Sequence, residues 1–253
     1  MGIEYSEKPQ RVSLLKVPVD IIPPEQLGPF LFDILKDEKE HNLILLSLWD
    51  LLRARRNNDY RSYVMSASLV VPISKSIISG IKFLTGEKAF RYMPFDFIIS
   101  VLTNLEKREY SCYLLGGKTK VLLKTEKNLK LTFPKLRIVG RFPGSFKKQD
   151  EATIIQAIRK ASPSLLLAGK GIRSGERWIA KNNALLGKGM RLWCSDIFDV
   201  FAERKKHPSH AAFDRGLEWL GYCFYSPFKL FRVFPYFYYK FLLVIYKLFK
   251  KPS

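Results

Sequence analysis

The sequence predicts an α/β fold: a mostly parallel sheet with helices on both faces. Three observations carry this. Short apolar runs rich in branched residues recur along the chain, helical patterns lie between them, and glycines follow several of the runs. The runs are residues 43–48 (LILLSL), 69–73 (LVVPI), 113–115, 136–139, 165–168 and 190–194. Each has the length and composition of a buried strand. Pro24-Glu25 opens a helix, with proline at the first-turn position that suits its fixed φ. Further helices are expected near 50–63, 94–107, 118–131, 150–161 and 174–186. Alternation of strand and helix supplies the crossovers that a parallel sheet needs.

Composition narrows the class. Of 253 residues, 47% are hydrophobic and 26% charged, which excludes a disordered polyelectrolyte. The formal net charge of +20 calls for an anionic partner: nucleic acid, a membrane surface or a phosphorylated substrate. No helix-turn-helix, zinc-finger or RNP signature is visible, which argues against nucleic acid. Cys112, Cys194 and Cys223 are too few and too scattered for a disulfide framework and fit a reducing compartment. The first residues, MGIEYSEKPQRVSLLK, lack the apolar stretch of a signal peptide, so a cytoplasmic protein is expected. His207 and His210 are a weak metal pair without a third ligand.

The pattern changes near the end, dividing the chain into a core over 1–215 and a basic aromatic appendage over 216–253. The appendage holds Lys229, Arg232, Lys240, Lys247, Lys250 and Lys251 against one acid, Glu218. Its longest uncharged aliphatic and aromatic stretch, 241–246, is far below the ~20 apolar residues a bilayer span requires. Phe and Tyr mixed with Lys suit the headgroup boundary instead, so an anionic membrane surface is the expected partner. Packing on the core or on a second copy is the competing use.

Three strand ends carry glycines: YLLGGK at 113–118, GRFPGSF at 140–146 and AGKG at 168–171. Glycine lets a backbone approach a phosphate, and a helix N-terminus favours an anion. Several such ends in one parallel sheet point to a ligand crevice at its carboxyl edge.

In order, YLLGGK, FPKLRIVGRFPGSF (133–146), SPSLLLAGKG (162–171) with ERWI (176–179), IFDVFAERKKHP (197–208), GLEWL (216–220) and SPFKLFR (226–232) resemble the WecG/TagA/CpsF glycosyltransferases. The resemblance implies a Rossmann-like core of the GT-E type with a membrane-seeking C-terminal appendage. It also implies transfer of an N-acetylmannosamine-type hexose from a UDP-sugar to a polyprenyl-pyrophosphate-linked acceptor, at the inner face of the cytoplasmic membrane, with no metal or other cofactor. Homo-oligomers occur in such a family.

Several family positions differ here. Ile73 stands where the family's catalytic Asp is expected, and isoleucine accepts no proton. Ser47 keeps a hydroxyl where the family has Thr, Met93 replaces a Thr, Gly175 a Gln and Tyr222 an Arg. The resemblance leaves Asp96 or Glu176 as the base, with Ser47 beside them. Arg91, the loops at Gly116, Gly117 and Gly144, and the tail cations Lys229 and Arg232 are the candidates for holding diphosphate. Asp199 is the candidate for sugar or uridine hydroxyls. A non-catalytic relative that binds nucleotide, lipid-linked glycan or a partner transferase is the other reading, favoured by losses that fall on functional motifs.

Overall fold

A computed structural model describes residues 8–56, 58–215 and 233–249. The chain opens with a hairpin, β1 (Gln10–Leu14) and β2 (Val17–Ile21), and then α1 (Pro24–Lys36). Next come β3 (Glu40–Leu46), α2 (Leu48–Ala54), α3 (Asp59–Met65), β4 (Leu69–Pro72), α4 (Lys75–Thr85) and α5 (Pro94–Glu106). They are followed by β5 (Ser111–Leu115), α6 (Thr119–Thr132), β6 (Arg137–Phe142), α7 (Glu151–Ala161), β7 (Leu165–Ala168) and α8 (Glu176–Asn182). The last described elements are β8 (Gly189–Trp193), α9 (Ile197–Phe201), α10 (His210–Arg215) and α11 (Val233–Phe249).

Strands β3–β8 form one sheet in the order β4-β3-β8-β7-β5-β6, and every neighbouring pair is parallel. The six expected apolar runs are these six strands. Side chains alternate across the sheet. Val70, Tyr113, Leu115, Leu166 and Ala168 pack with the hairpin, α2, α3, α4, α7 and α8. Leu69, Val71, Cys112, Leu114, Leu165 and Leu167 pack with α1, α5, α6 and α9 on the other face. Both faces are covered, which is why the central strands read as unbroken apolar runs.

Two expected helices are shorter than their sequence pattern. The region 50–63 is two helices, α2 and α3, the second restarting where the Asn58 side chain accepts from the Arg61 amide at 2.9 Å. The region 174–186 is α8 followed by a 3₁₀ turn at Asn183–Leu185.

The hairpin is absent from the sequence expectation. Its turn uses Leu15 and Lys16 at φ 51° and 68°, where Asn-Gly is the usual signal. Leu15 is buried, and that packing offsets the backbone strain. Asp20 then ties the hairpin to the sheet edge: it accepts a fork from Arg11 at 2.7 and 2.9 Å and the β4 amide of Val70 at 2.7 Å. The edge strand β4 is thus covered.

Helix α11 lies on α4. Tyr239, fully buried, donates its hydroxyl to the Ser76 carbonyl at 2.9 Å across Gly80, where any side chain would collide with it. Among the described residues, no helix is long and apolar enough to cross a membrane.

Candidate functional site

A parallel sheet brings all six carboxyl ends to one edge. There a cleft of about 390 Å³ opens between the ends of β3, β4 and β8, lined by Asp50, Ile73, Ser74, Met93, Phe95, Trp193, Asp196, Lys206 and Phe213 among others.

The residue after β3, Ser47, caps α2. Its hydroxyl accepts from the Asp50 amide at 3.2 Å, while the Asp50 carboxylate accepts from the Ser47 amide at 3.3 Å and from the Ser47 hydroxyl. This capping box fixes where the Asp50 side chain points. The next loop is tied in: Ser74 Oγ accepts from the Leu48 amide at 3.1 Å, and the Ile73 amide donates to the Leu46 carbonyl at 3.0 Å. Ile73 and Asp50 therefore line the same cleft.

Arg91 donates through Nε to the Ile73 carbonyl at 2.9 Å and through Nη1 to the Phe213 carbonyl, and its guanidinium lies 3.6 Å over the Phe213 ring. It ties α10 to the end of β4. Asp96 sits in the first turn of α5, with Oδ2 3.6 Å from Nδ1 of His210. His207 stacks on Phe95 with ring centroids 4.7 Å apart. The two histidines thus serve different partners.

The glycine loops pack on one another. The Gly116 amide donates to the Phe142 carbonyl, and the Gly144 amide to the Gly117 carbonyl, both at 3.0 Å. A Cβ on Gly116 would lie 2.6 Å from the Gly169 carbonyl oxygen, and one on Gly144 2.6 Å from the Gly171 carbonyl carbon. Close approach of backbone to backbone is the structural demand met at these positions.

Beyond them runs a chain of ion pairs. Lys170 bridges Asp196, at 3.1 Å, and Asp199. Lys205 also pairs with Asp196, and Arg204 stands 3.9 Å from Asp199. The hydrogen bond to Asp199 is the main cause of a raised Lys170 pKa. Burial pushes the Asp196 pKa upward, but the hydrogen bonds from Lys205 and Lys170 outweigh it and leave a net depression. Asp196 is a committed anion in the cleft wall.

Asp50 is different. Burial raises its proton affinity, against the opposing hydrogen bonds from Ser47 and the charge of Arg53. Glu176 begins α8, and its pKa is raised to about 7 by burial and then by the charge of Asp50, against Tyr60 and Arg53. The two carboxyls are coupled across the end of β3, and Asp50 is the one that lines the cleft. The Cys194 thiol, pushed up to about 12 mainly by burial, stays protonated.

The structure thus brings Ser47, Arg91 and Asp96 to the surroundings of one cleft. Gly116, Gly117, Gly144 and Asp199 lie with the loops and ion pairs around Lys170, and Glu176 lies behind Asp50. Lys229, Arg232, Tyr222 and the GLEWL segment fall outside the described residues. Sequence reasoning did not single out Asp50, Lys170 or Asp196. For Asp50 a signal exists: an acid three residues after Ser47 is capping-box spacing.

The glycosyl transferase WecG/TagA/CpsF family model matches residues 12–252. Two curated relatives are similar, both called N-acetylglucosaminyldiphosphoundecaprenol N-acetyl-beta-D-mannosaminyltransferase. The one from Bacillus spizizenii is 23% identical over 66% of this chain and 64% of its own length. The one from Bacillus subtilis is 21% identical over 70% of this chain and 68% of its own. The chain therefore spans just under two thirds of the first of these relatives. A family match across nearly the whole described fold, cleft included, places the chain in the WecG/TagA/CpsF family of glycosyl transferases.

Proposed function

We propose that this protein transfers a hexose of the N-acetylmannosamine type from a UDP-sugar to a polyprenyl-pyrophosphate-linked acceptor at a membrane surface, without a metal. The observation that carries the reading is the cleft at the carboxyl edge of the sheet, in a chain matched by the family over residues 12–252. Its chemistry is supplied by a carboxyl at a new position. Ile73 accepts no proton, but Asp50 lines the same cleft and has a raised proton affinity. In this reading the Asp50 carboxylate takes the proton of the acceptor hydroxyl as its oxygen attacks the anomeric carbon. The bond to UDP breaks, and the electron pair leaves with the diphosphate, whose charge Lys206 helps to balance from the cleft wall. Asp96 is the alternative base.

The relatives' names support the acceptor, since both denote enzymes acting on a diphosphoundecaprenol-linked sugar. Helix α11 supports the membrane. Phe234, Phe237, Phe241, Val244 and Leu248 form an exposed stripe at helical spacing on the face away from the buried Tyr239 and Leu243, with Lys240 and Lys247 nearby.

The test is a transfer assay on liposome-bound protein with a panel of UDP-sugars and a polyprenyl-pyrophosphate-linked acceptor. Acceptor-dependent UDP release is expected. Asp50→Asn should lower kcat by at least ~10²-fold, the usual worth of a general base, with little change in KM. Full activity of that variant with loss in Asp96→Asn moves the base to Asp96. Ile73 favours a second reading, a non-catalytic relative, and a folded, liposome-bound wild type without turnover supports it.

A further inference from the structure

Away from the sheet-edge cleft, a larger groove of about 870 Å³ runs between α3 and α8 and is closed at one end by the segment before α7. Four features of it have no use in the transfer described above.

Its floor is aromatic. Tyr60 and Tyr63 come from α3, Trp178 from α8 and Phe146 from the loop after β6, with the Phe146 and Trp178 rings 5.9 Å apart at 70°. Its wall is basic: Lys148, Arg173, Arg177 and Lys181 all line it, against Asp59 and Glu151. None of the four cations holds a salt bridge to a described residue, whereas Glu151 accepts from Asn182 Nδ2 at 3.1 Å. Behind these rings the Tyr60 and Tyr63 hydroxyls and Trp178 Nε1 are buried without a hydrogen-bond partner among the described residues.

We propose that this groove is a second ligand site, separate from the cleft, and that it takes a sugar carrying a phosphate or a carboxylate. Each part of such a ligand has a counterpart. The apolar face of the sugar ring meets the aromatic floor, and the anionic group meets the arginine forks of the wall. Arg173 and Arg177 bracket the start of α8, whose Glu176 faces both Tyr60 of the groove and Asp50 of the cleft. A ligand in the groove thus lies one carboxyl away from the reacting site, as a charged residue of a growing glycan or a charged donor sugar would. The carbohydrate half of the inference rests on the sugar-transfer reading; the anionic half rests on the groove alone.

The test is equilibrium binding by calorimetry, with no donor or acceptor present. The probes are digalacturonic acid, glucose 1-phosphate and neutral maltose. Both charged probes, or one of them, should bind with an affinity that falls with salt, and maltose at least tenfold more weakly; which charged probe wins identifies the anion. Arg173→Gln with Arg177→Gln should weaken binding at least tenfold, the worth of one charge-assisted hydrogen bond. Lys206→Gln in the cleft should leave it unchanged. Equal binding of maltose, no effect of the arginine pair, or loss on Lys206→Gln overturns the inference. So does self-association that the arginine pair abolishes, since the groove would then seat a second copy. Absence of turnover in the transfer assay sinks the proposed activity and leaves this binding result standing.

Discussion

Glu176 holds a proton near neutrality because burial and Asp50 both oppose its charge. Its pKa rises from 4.5 to about 7 on folding, so the folded protein keeps a proton that the unfolded chain releases across that window. Stability from this group is present below about pH 4.5 and is lost as pH rises toward 7. Glu176→Gln should flatten the profile and gain on the order of 1–3 kcal/mol over wild type at pH 8 relative to pH 5. Urea midpoints at the two pH values measure this, and parallel profiles for the two proteins would refute it. Asp20 matters through its partners. It is 2% exposed and satisfied by Arg11 and the Val70 amide. Asp20→Asn removes the charge that Arg11 needs and should cost roughly 2–3 kcal/mol. The thermal midpoint should fall accordingly.

At the scale of elements, the capping box and the α11 contact are the two joints that matter for the site. Ser47→Ala loses the cap and should cost about 1 kcal/mol. It should also free the Asp50 carboxylate to rotate, so its effect on kcat should exceed its effect on stability. An unchanged kcat would make Ser47 a helix cap alone. Gly80→Ala sets two effects against each other. Alanine favours the α4 helix by about 1 kcal/mol, but its Cβ collides with the Tyr239 hydroxyl in a filled space, where overpacking costs about 1–3 kcal/mol. The second effect wins, because Tyr239 is fully buried and has nowhere to move. Amide exchange across α11 should quicken selectively, and protection equal to wild type would show that α11 does not depend on this contact.

Across the whole molecule, the net charge of +20 and the α11 stripe predict binding to anionic vesicles that weakens with salt. Phe237→Ser with Phe241→Ser should lower that binding at least tenfold, since each buried Phe is worth about 1.5–3 kcal/mol. Retained binding would move the contact to another surface.

The sequence by itself determined which segments are strands of the main sheet, because the central strands, covered on both faces, carry mostly apolar runs. It also placed α5, α6 and α7 within a residue or two, and it located Ser47 and the glycine loops at strand ends. It did not reveal the hairpin, whose Leu15-Lys16 turn lacks the usual residues and is held by burial and by Asp20 reaching β4. Nor did it reveal Asp50 beside Ile73. That meeting needs β3 and β4 side by side and the Ser47 cap aiming one carboxylate into the gap. Strand order, the mutual packing of the glycine loops and the coupling of Asp50 to Glu176 were decided by the tertiary structure alone. Each joins residues far apart in the chain, and local pattern carries no information about a distance that only folding closes.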